Sequence, residues 1–263
     1  MKMKRPVITV ASIALAALLL TFAFTVSAQH NASHEVPSIP ERNGDYPDPT
    51  HPGVRVHVFV HPERPTTESS PVLVCNLPDP ESAAVVSATP WHLPSQWTYN
   101  LNPSSVPASV GGSNLPTIAL NGFTDWRGAM GNKVTFNRGS DTTVSRQAYD
   151  GRNIVAWGRT SGSALGVTYV RYYSSSGLLV DVDTIMNKKF PWSWANSSTC
   201  ADSVSYDAEN ILYHEQGHWL GLDDEYDVAQ YQDASMYGYG SKGEVKKTTL
   251  TNGDKVGAAA IYP

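Results

Sequence analysis

Apolar and polar residues alternate over Val54-Arg55-Val56-His57-Val58-Phe59-Val60-His61, with valine at every even position. A period of two is that of a half-buried strand, and it puts His57 and His61 on the polar side, as surface residues in preference to a second metal site. A linker with three prolines, 62–71, separates it from a short strand at Val72-Leu73-Val74. From Trp91 onward glycine and aromatic residues become frequent. Trp97 to Leu101, Val134 to Phe136, Asn153 to Gly158, Ala164 to Tyr173 and Leu178 to Met186 read as strands, the last two joined by the turn signal Ser174-Ser175-Ser176-Gly177. Leu115, Ile118, Gly122 and Trp126 recur at helical spacing. They predict a helix capped by Asn114, with Pro116 in its first turn, running to about Gly128 and packing closely on a sheet at Gly122. A loop from Phe190 to Ser205 leads into a helix capped by Ser205 or Asp207 and bearing Ile211, Leu212 and Trp219. Leu250 to Ile261 reads as a short closing helix. Strand, helix, strands, helix is the order of an α+β fold, a mixed sheet with helices on one face.

Composition narrows the class. Of 263 residues, 41% are hydrophobic and 16% charged, the balance of a globular chain with a polar surface. Lys2, Lys4 and Arg5 precede an apolar run from Val7 to Val26, and Val26-Ser27-Ala28 supplies small residues for cleavage. Residues 1–28 therefore read as a secretory signal peptide, with an uncleaved anchor as the rival. Removing them lowers the basic residues from 19 to 16 against 24 acidic ones, a net charge of −8. An acidic chain with no basic run argues against nucleic acid as a partner. Residues 29–90 read as an N-terminal pro-segment or accessory strand region, opening with a flexible leader to about residue 53, and 91–263 as the main domain.

One polar insertion interrupts the second helix: His214-Glu215-Gln216-Gly217-His218. Residues i and i+4 share a helix face, so both imidazoles can reach one metal ion, and Glu215 beside them can act on a water there. Gly217 costs about 1 kcal/mol relative to Ala inside a helix, a penalty that close packing on a neighbour offsets. Gly221 lets the chain leave the helix. Asp224, six residues after His218, can fold back as a third ligand, with Asp223 and Asp227 as rivals.

The pattern His214-Glu215-x-x-His218-x-x-Gly221-x-x-Asp224, followed by Ser235-Met236-Tyr237-Gly238, resembles the extended motif and Met-turn of the metzincin zinc endopeptidases. Leu220-Gly221-Leu222-Asp223 and Met236-Tyr237 look most like the matrixins. Asp224 stands where matrixins have His, as in the snapalysin type. The resemblance covers roughly 97–263. It implies a twisted mixed, mostly parallel sheet with an antiparallel edge strand, and one catalytic zinc held by His214, His218 and Asp224. It further implies Glu215 as general base for a zinc-activated water, Met236 as an apolar floor under the ligands, and Tyr237 beside the pocket beyond the scissile bond or as a packed aromatic. Ala164, Leu165 and Gly166 would belong to the edge strand that a substrate joins as an added strand. The structural zinc of matrixins is not expected, since no histidine lies between Leu93 and Tyr213. Calcium is left open, with Asp181 and Asp183 as its candidates or as solvent-facing acids.

Two cysteines remain. In an exported chain Cys75 and Cys200 read as a disulfide. Cys75-Asn76-Leu77-Pro78-Asp79 also resembles the matrixin pro-segment motif, which would make Cys75 a zinc-capping switch. The expectation is thus a secreted, monomeric zinc endopeptidase acting on extracellular polypeptides, with no stable membrane association once the signal is cut. The alternatives are a non-catalytic surface or adhesion protein on the same scaffold, and a different zinc hydrolase.

Overall fold

The alternation at residues 54–61 does make a strand, but both of its faces are covered. The computed structural model describes residues 38–65, 82–196 and 202–263. Strand β1 (Gly44–Pro47) pairs antiparallel with β2 (Val54–Pro62). After a gap in sequence come β3 (Gln96–Leu101), helix α1 (Leu115–Ala129), β4 (Thr135–Arg138), β5 (Asn153–Gly158), β6 (Ala164–Tyr173) and β7 (Leu179–Asn187). Two short strands, β8 (Trp192–Ser193) and β9 (Tyr206–Asp207), precede α2 (Ala208–Leu220), which is followed by α3 (Val228–Tyr231) and α4 (Asn252–Ile261). The main sheet has seven strands in the order β1-β2-β6-β7-β5-β3-β4. From the pairings, β2, β7, β5, β3 and β4 run one way, and β1 and β6 run against them. The sheet is therefore mixed and mostly parallel in direction, with its helices on one side, as an α+β chain requires.

Two apolar clusters sandwich the sheet. Trp126, Phe123, Ile211, Trp219 and Met236 from the helical layer pack on Trp157, Leu165, Val170 and Met186. On the opposite face Val56, Val58, Ile154, Val167 and Tyr169 form a smaller cluster covered by Ile39, Tyr46 and Val144. This second layer is why β2 has no exposed side. Its even positions enter the small cluster, while Phe59 and His61, at 2% and 1% exposure, turn toward α2. The reading of His61 as a surface residue fails because period-two alternation identifies two faces without saying what covers each.

The β2–β6 ladder corrects a second expectation. Ala164 to Gly166 do not lie on an edge strand, since β2 pairs with β6 from Val54↔Tyr173 to Pro62↔Ala164. The sheet edges are β1 and β4. Residues 82–90 make backbone bonds to the chain beyond residue 90. Thr89 N donates to Gly221 O (2.7 Å), Asp223 N to Ser87 O (2.9 Å) and Gly253 N to Ser82 O (2.8 Å), tying 82–90 to the ends of α2 and α4. The signal peptide, the Val72–Val74 strand and both Cys75 and Cys200 lie outside the described residues.

Asp207 caps α2, accepting from Asn210 N at 2.8 Å, while the Ser205 hydroxyl bonds Asp202 and Ser193 instead. Asn114 makes no side-chain cap: α1 is entered from a 3-10 turn over Gly112–Asn114. Gly122 packs not on the sheet but on α2, where a Cβ would collide with the Gln216 amide. Asp181 and Asp183 are buried, not solvent-facing, and both face Arg171. Arg171 Nη1 lies 2.8 Å from Asp181 Oδ1 and 3.5 Å from Asp183 Oδ2, and Asp48 stands on the other side of the same guanidinium. Burial raises the pKa of both aspartates.

Gly217 lies where α2 crosses Met236, and a Cβ there would overlap Met236 Sδ and press on Trp126. Gly217→Ala is expected to lower stability by about 1–3 kcal/mol through overpacking, against the small gain its helix propensity would otherwise bring. Urea denaturation of the two proteins measures the difference.

Candidate metal centre

The two histidines reach one point because α2 carries them one turn apart and the chain after α2 reverses sharply. Gly221 ends the helix in the left-handed region, at φ 106°, and a Cβ there would meet Trp91 O at 2.6 Å. The reversal brings Asp224 back over the helix. His214 Nε2 stands 3.1 Å from Asp224 Oδ1, His218 Nε2 3.6 Å from the same oxygen, and the two imidazole nitrogens 3.1 Å from each other. His214 and His218 have no exposed surface, and the Asp224 side chain is nearly as buried.

Protons decide what this triangle means. His214 Nδ1 lies 2.9 Å from Ser235 O and His218 Nδ1 3.0 Å from Leu222 O. A carbonyl oxygen only accepts, so each Nδ1 carries the hydrogen. Burial pushes both imidazoles down, His218 to about 3, and the neighbouring His61 and Lys247 charges add to the effect at His214. Both rings are therefore neutral at neutral pH, and both Nε2 atoms present lone pairs. Asp224 Oδ1 has no hydrogen-bond partner. Three electron-pair donors thus converge without a shared proton. Burial raises the Asp224 pKa, but one proton there relieves only one of the contacts. A cation relieves all three. Ligands about 2 Å from one tetrahedral ion stand about 3.3 Å apart, so the donor set and its spacing suit a transition-metal ion.

Second contacts orient each ligand. Tyr226 donates to Asp224 Oδ2 at 3.0 Å. Ser235, whose carbonyl holds His214, is itself held by Asp254. Asp254 Oδ2 accepts from Ser235 N at 3.0 Å while closing the capping box of α4 with Thr251. Met236 follows Ser235 and is buried against Gly217, beneath the turn of helix between the two histidines. Lys247, fully buried, donates from Nζ to Tyr237 O, and burial lowers its pKa to about 8. The Tyr237 ring faces the Arg64 guanidinium, 5.0 Å away.

Glu215 is buried beside the triangle. The Glu215 carboxylate accepts from Thr168 Oγ1 at Oε2 (2.6 Å), which uses the one hydrogen of Thr168; Thr184 therefore donates to Thr168 (2.6 Å) and itself accepts from Trp219 Nε1 (2.9 Å). One carboxylate oxygen is thereby fixed as an acceptor. The other, Oε1, has no hydrogen-bond partner. It points at Gly166, where a Cβ would come within 2.7 Å. Burial pushes Glu215 up to about 7, against the pull of His214 and the Thr168 hydroxyl. A carboxyl poised near neutral pH can both take and return a proton.

The sequence places His214, Glu215, His218, Gly221, Asp224 and Met236 together, and the structure does the same. The rivals are engaged elsewhere: Asp223 Oδ1 accepts from Asp224 N at 2.9 Å, and Asp227 caps α3. Gly166 lies against Glu215 as a strand residue, although on a strand already paired on both sides. Thr168, Thr184, Tyr226, Asp254 and His61 were not read as parts of the site. The two threonines left a trace, as hydroxyls inside otherwise apolar strands. Among the described residues two surface hollows, one beside Thr124 and Leu250 and one beside Glu41 and Tyr169, lie away from these side chains. Neither a protein-family model nor a curated protein matches the chain.

Added Zn²⁺ is expected to raise the thermal midpoint of the metal-free protein, and His214→Ala, His218→Ala or Asp224→Ala to abolish the rise. Asp254→Ala, which touches no ligand directly, should weaken zinc by about 10–100-fold, since outer contacts of this kind tune affinity on that scale. Calorimetric zinc titration measures both.

Proposed function

We propose that this chain is a secreted zinc-dependent endopeptidase of the metzincin kind, matrixin-like, with an aspartate as third ligand. The observation that carries the reading is the convergence of His214 Nε2, His218 Nε2 and Asp224 Oδ1 beside a carboxylate with one unengaged oxygen. A purely structural metal site has no use for Glu215 so placed. His214, His218 and Asp224 hold the ion. Zinc, when bound, supplies Lewis acidity toward a peptide carbonyl and lowers the pKa of water. The protein's own part is proton transfer. Glu215 Oε1 takes a proton from the attacking water and passes it to the leaving amine, while Thr168 keeps the second oxygen from turning. Met236 packs against α2 at Gly217 and supports the segment that carries both histidines. The substrate class is extracellular polypeptide. Export follows from residues 1–28 as a signal peptide, and the working form is a monomer that binds no nucleic acid. Among the described residues no helix is long and apolar enough to cross a membrane.

One observation favours the second reading, a non-catalytic surface or adhesion protein: His214, Glu215 and His218 have no exposed surface, and the Asp224 side chain is only 4% exposed. Activity separates the two. Zinc-loaded protein, as isolated and after limited proteolysis, is assayed on casein with and without a chelator. Hydrolysis is expected in at least one preparation and should vanish with the chelator. Glu215→Gln should bind zinc and fail to cut. Thr168→Val should keep its zinc and lose about 10–100-fold in kcat/KM, as outer contacts to a catalytic group do. Hydrolysis that survives both chelation and Glu215→Gln would sink the assignment.

A further inference from the structure

The sheet face away from α2 carries a hollow of about 540 Å³. Tyr169 of β6 and Ile185 of β7, each 2% exposed, form its floor. Their strand neighbours Thr168 and Thr184 belong to the hydroxyl relay, and successive residues of a strand face opposite ways. The hollow therefore lies behind the relay, across the sheet from the metal centre. Ile39 and Pro40, ahead of β1, give it one apolar side. Arg146, which precedes β5, and Arg159, which follows it, are both exposed and line the same hollow.

The polar groups of the hollow are unequal. Among the described residues no carboxylate stands within ion-pair distance of Arg146 or Arg159, whereas Arg55, Arg64, Arg138 and Arg171 each face one. The one acid lining the hollow, Glu41, is already in use: it accepts from Ser161 N and stands beside the Tyr169 hydroxyl. Burial raises the Tyr169 pKa and the Glu41 charge adds to the rise, so Tyr169 keeps its hydrogen. Gln147 also lines the hollow. Its Oε1 accepts from the Arg171 guanidinium, which leaves Gln147 its amide hydrogens to offer a ligand. What remains to be satisfied is chiefly donors, two guanidiniums and an amide. Two positive charges against one negative leave a single positive charge in excess, so one anionic group balances the hollow and a dianion does not. A volume within the range of about 300–1,000 Å³ usual for small-molecule sites holds more than the anionic head alone.

We propose that this hollow is a binding site for an amphipathic monocarboxylate. The Arg146 and Arg159 guanidiniums, whose forked donors match a carboxylate, take the head, and Ile39 and Pro40 cover an aliphatic body. A free organic acid and the terminal residue of a peptide share this chemistry. The site uses no residue of the metal centre, so it stands apart from the endopeptidase reading, and its failure leaves that reading untouched.

The test is an NMR titration of the full chain, followed at the Tyr169 and Ile185 amides. The probes are N-acetyl-leucine, its neutral amide, isocaproate and inorganic phosphate. Saturable shifts are expected with N-acetyl-leucine and none with the neutral amide, which has the same body without the charge. Binding of isocaproate as well supports the site and identifies a free organic acid as its ligand. Binding of N-acetyl-leucine alone supports it and identifies a peptide terminus. Arg146→Ala and Arg159→Ala, both at exposed positions that leave the core intact, should each weaken binding about 10-fold, the scale of a charge-assisted hydrogen bond. Unchanged affinity in both arginine variants would overturn the proposal. So would equal binding of the neutral amide, tighter binding of phosphate than of either acid, or no saturable shift with either acid.

Discussion

Three electron-pair donors held within 3.6 Å of one another, with no proton among them to share, are the constraint on which the surrounding structure depends. Left alone, such a triangle would spread. It is kept closed from behind. Each imidazole is tied by Nδ1–H to a backbone carbonyl, and each carbonyl belongs to a turn whose shape is independently determined. Leu222 follows the left-handed Gly221, and Ser235 hangs from the capping carboxylate of α4. The repulsion is therefore opposed by helix caps, a glycine turn and the close contact of Met236 with Gly217. That is the preorganisation a cation needs if it is to bind without rearranging the protein.

The sheet holds the Glu215 carboxylate in place. A relay of hydroxyls runs from Trp219 through Thr184 and Thr168 to Glu215, and its direction is set at the carboxylate, which accepts from Thr168. Every hydrogen along it is committed. Glu215 consequently has one oxygen in fixed use and one unengaged, facing the metal centre. α2 and the two central strands β6 and β7 thus act as one body: displacing Thr168 in the sheet would turn the carboxylate on the helix.

The same strand β6 presents its other edge to β2. An outer hairpin supplies apolar valines to one face and an aromatic–histidine pair to the other, so the burial that stabilises it is also the burial that closes the site.

Much of this was legible in the chain. The 3.6-residue period carrying His214 and His218, the glycine at 221 and the acid at 224 depend on local backbone geometry alone, which sequence spacing encodes directly. The strands were legible for the same reason, and Asp207 as a cap nearly so. What spacing cannot encode is which faces meet. Gly122 packs on α2 instead of the sheet, Asp181 and Asp183 meet Arg171 instead of solvent, and β6 is an inner strand, because sheet order and layer stacking are set by contacts between residues far apart in the chain. His61 shows the difference most clearly. Alternation determined that it shares a face with Phe59; only the tertiary pairing of β2 with β6 decided that this face lies over His214 and His218.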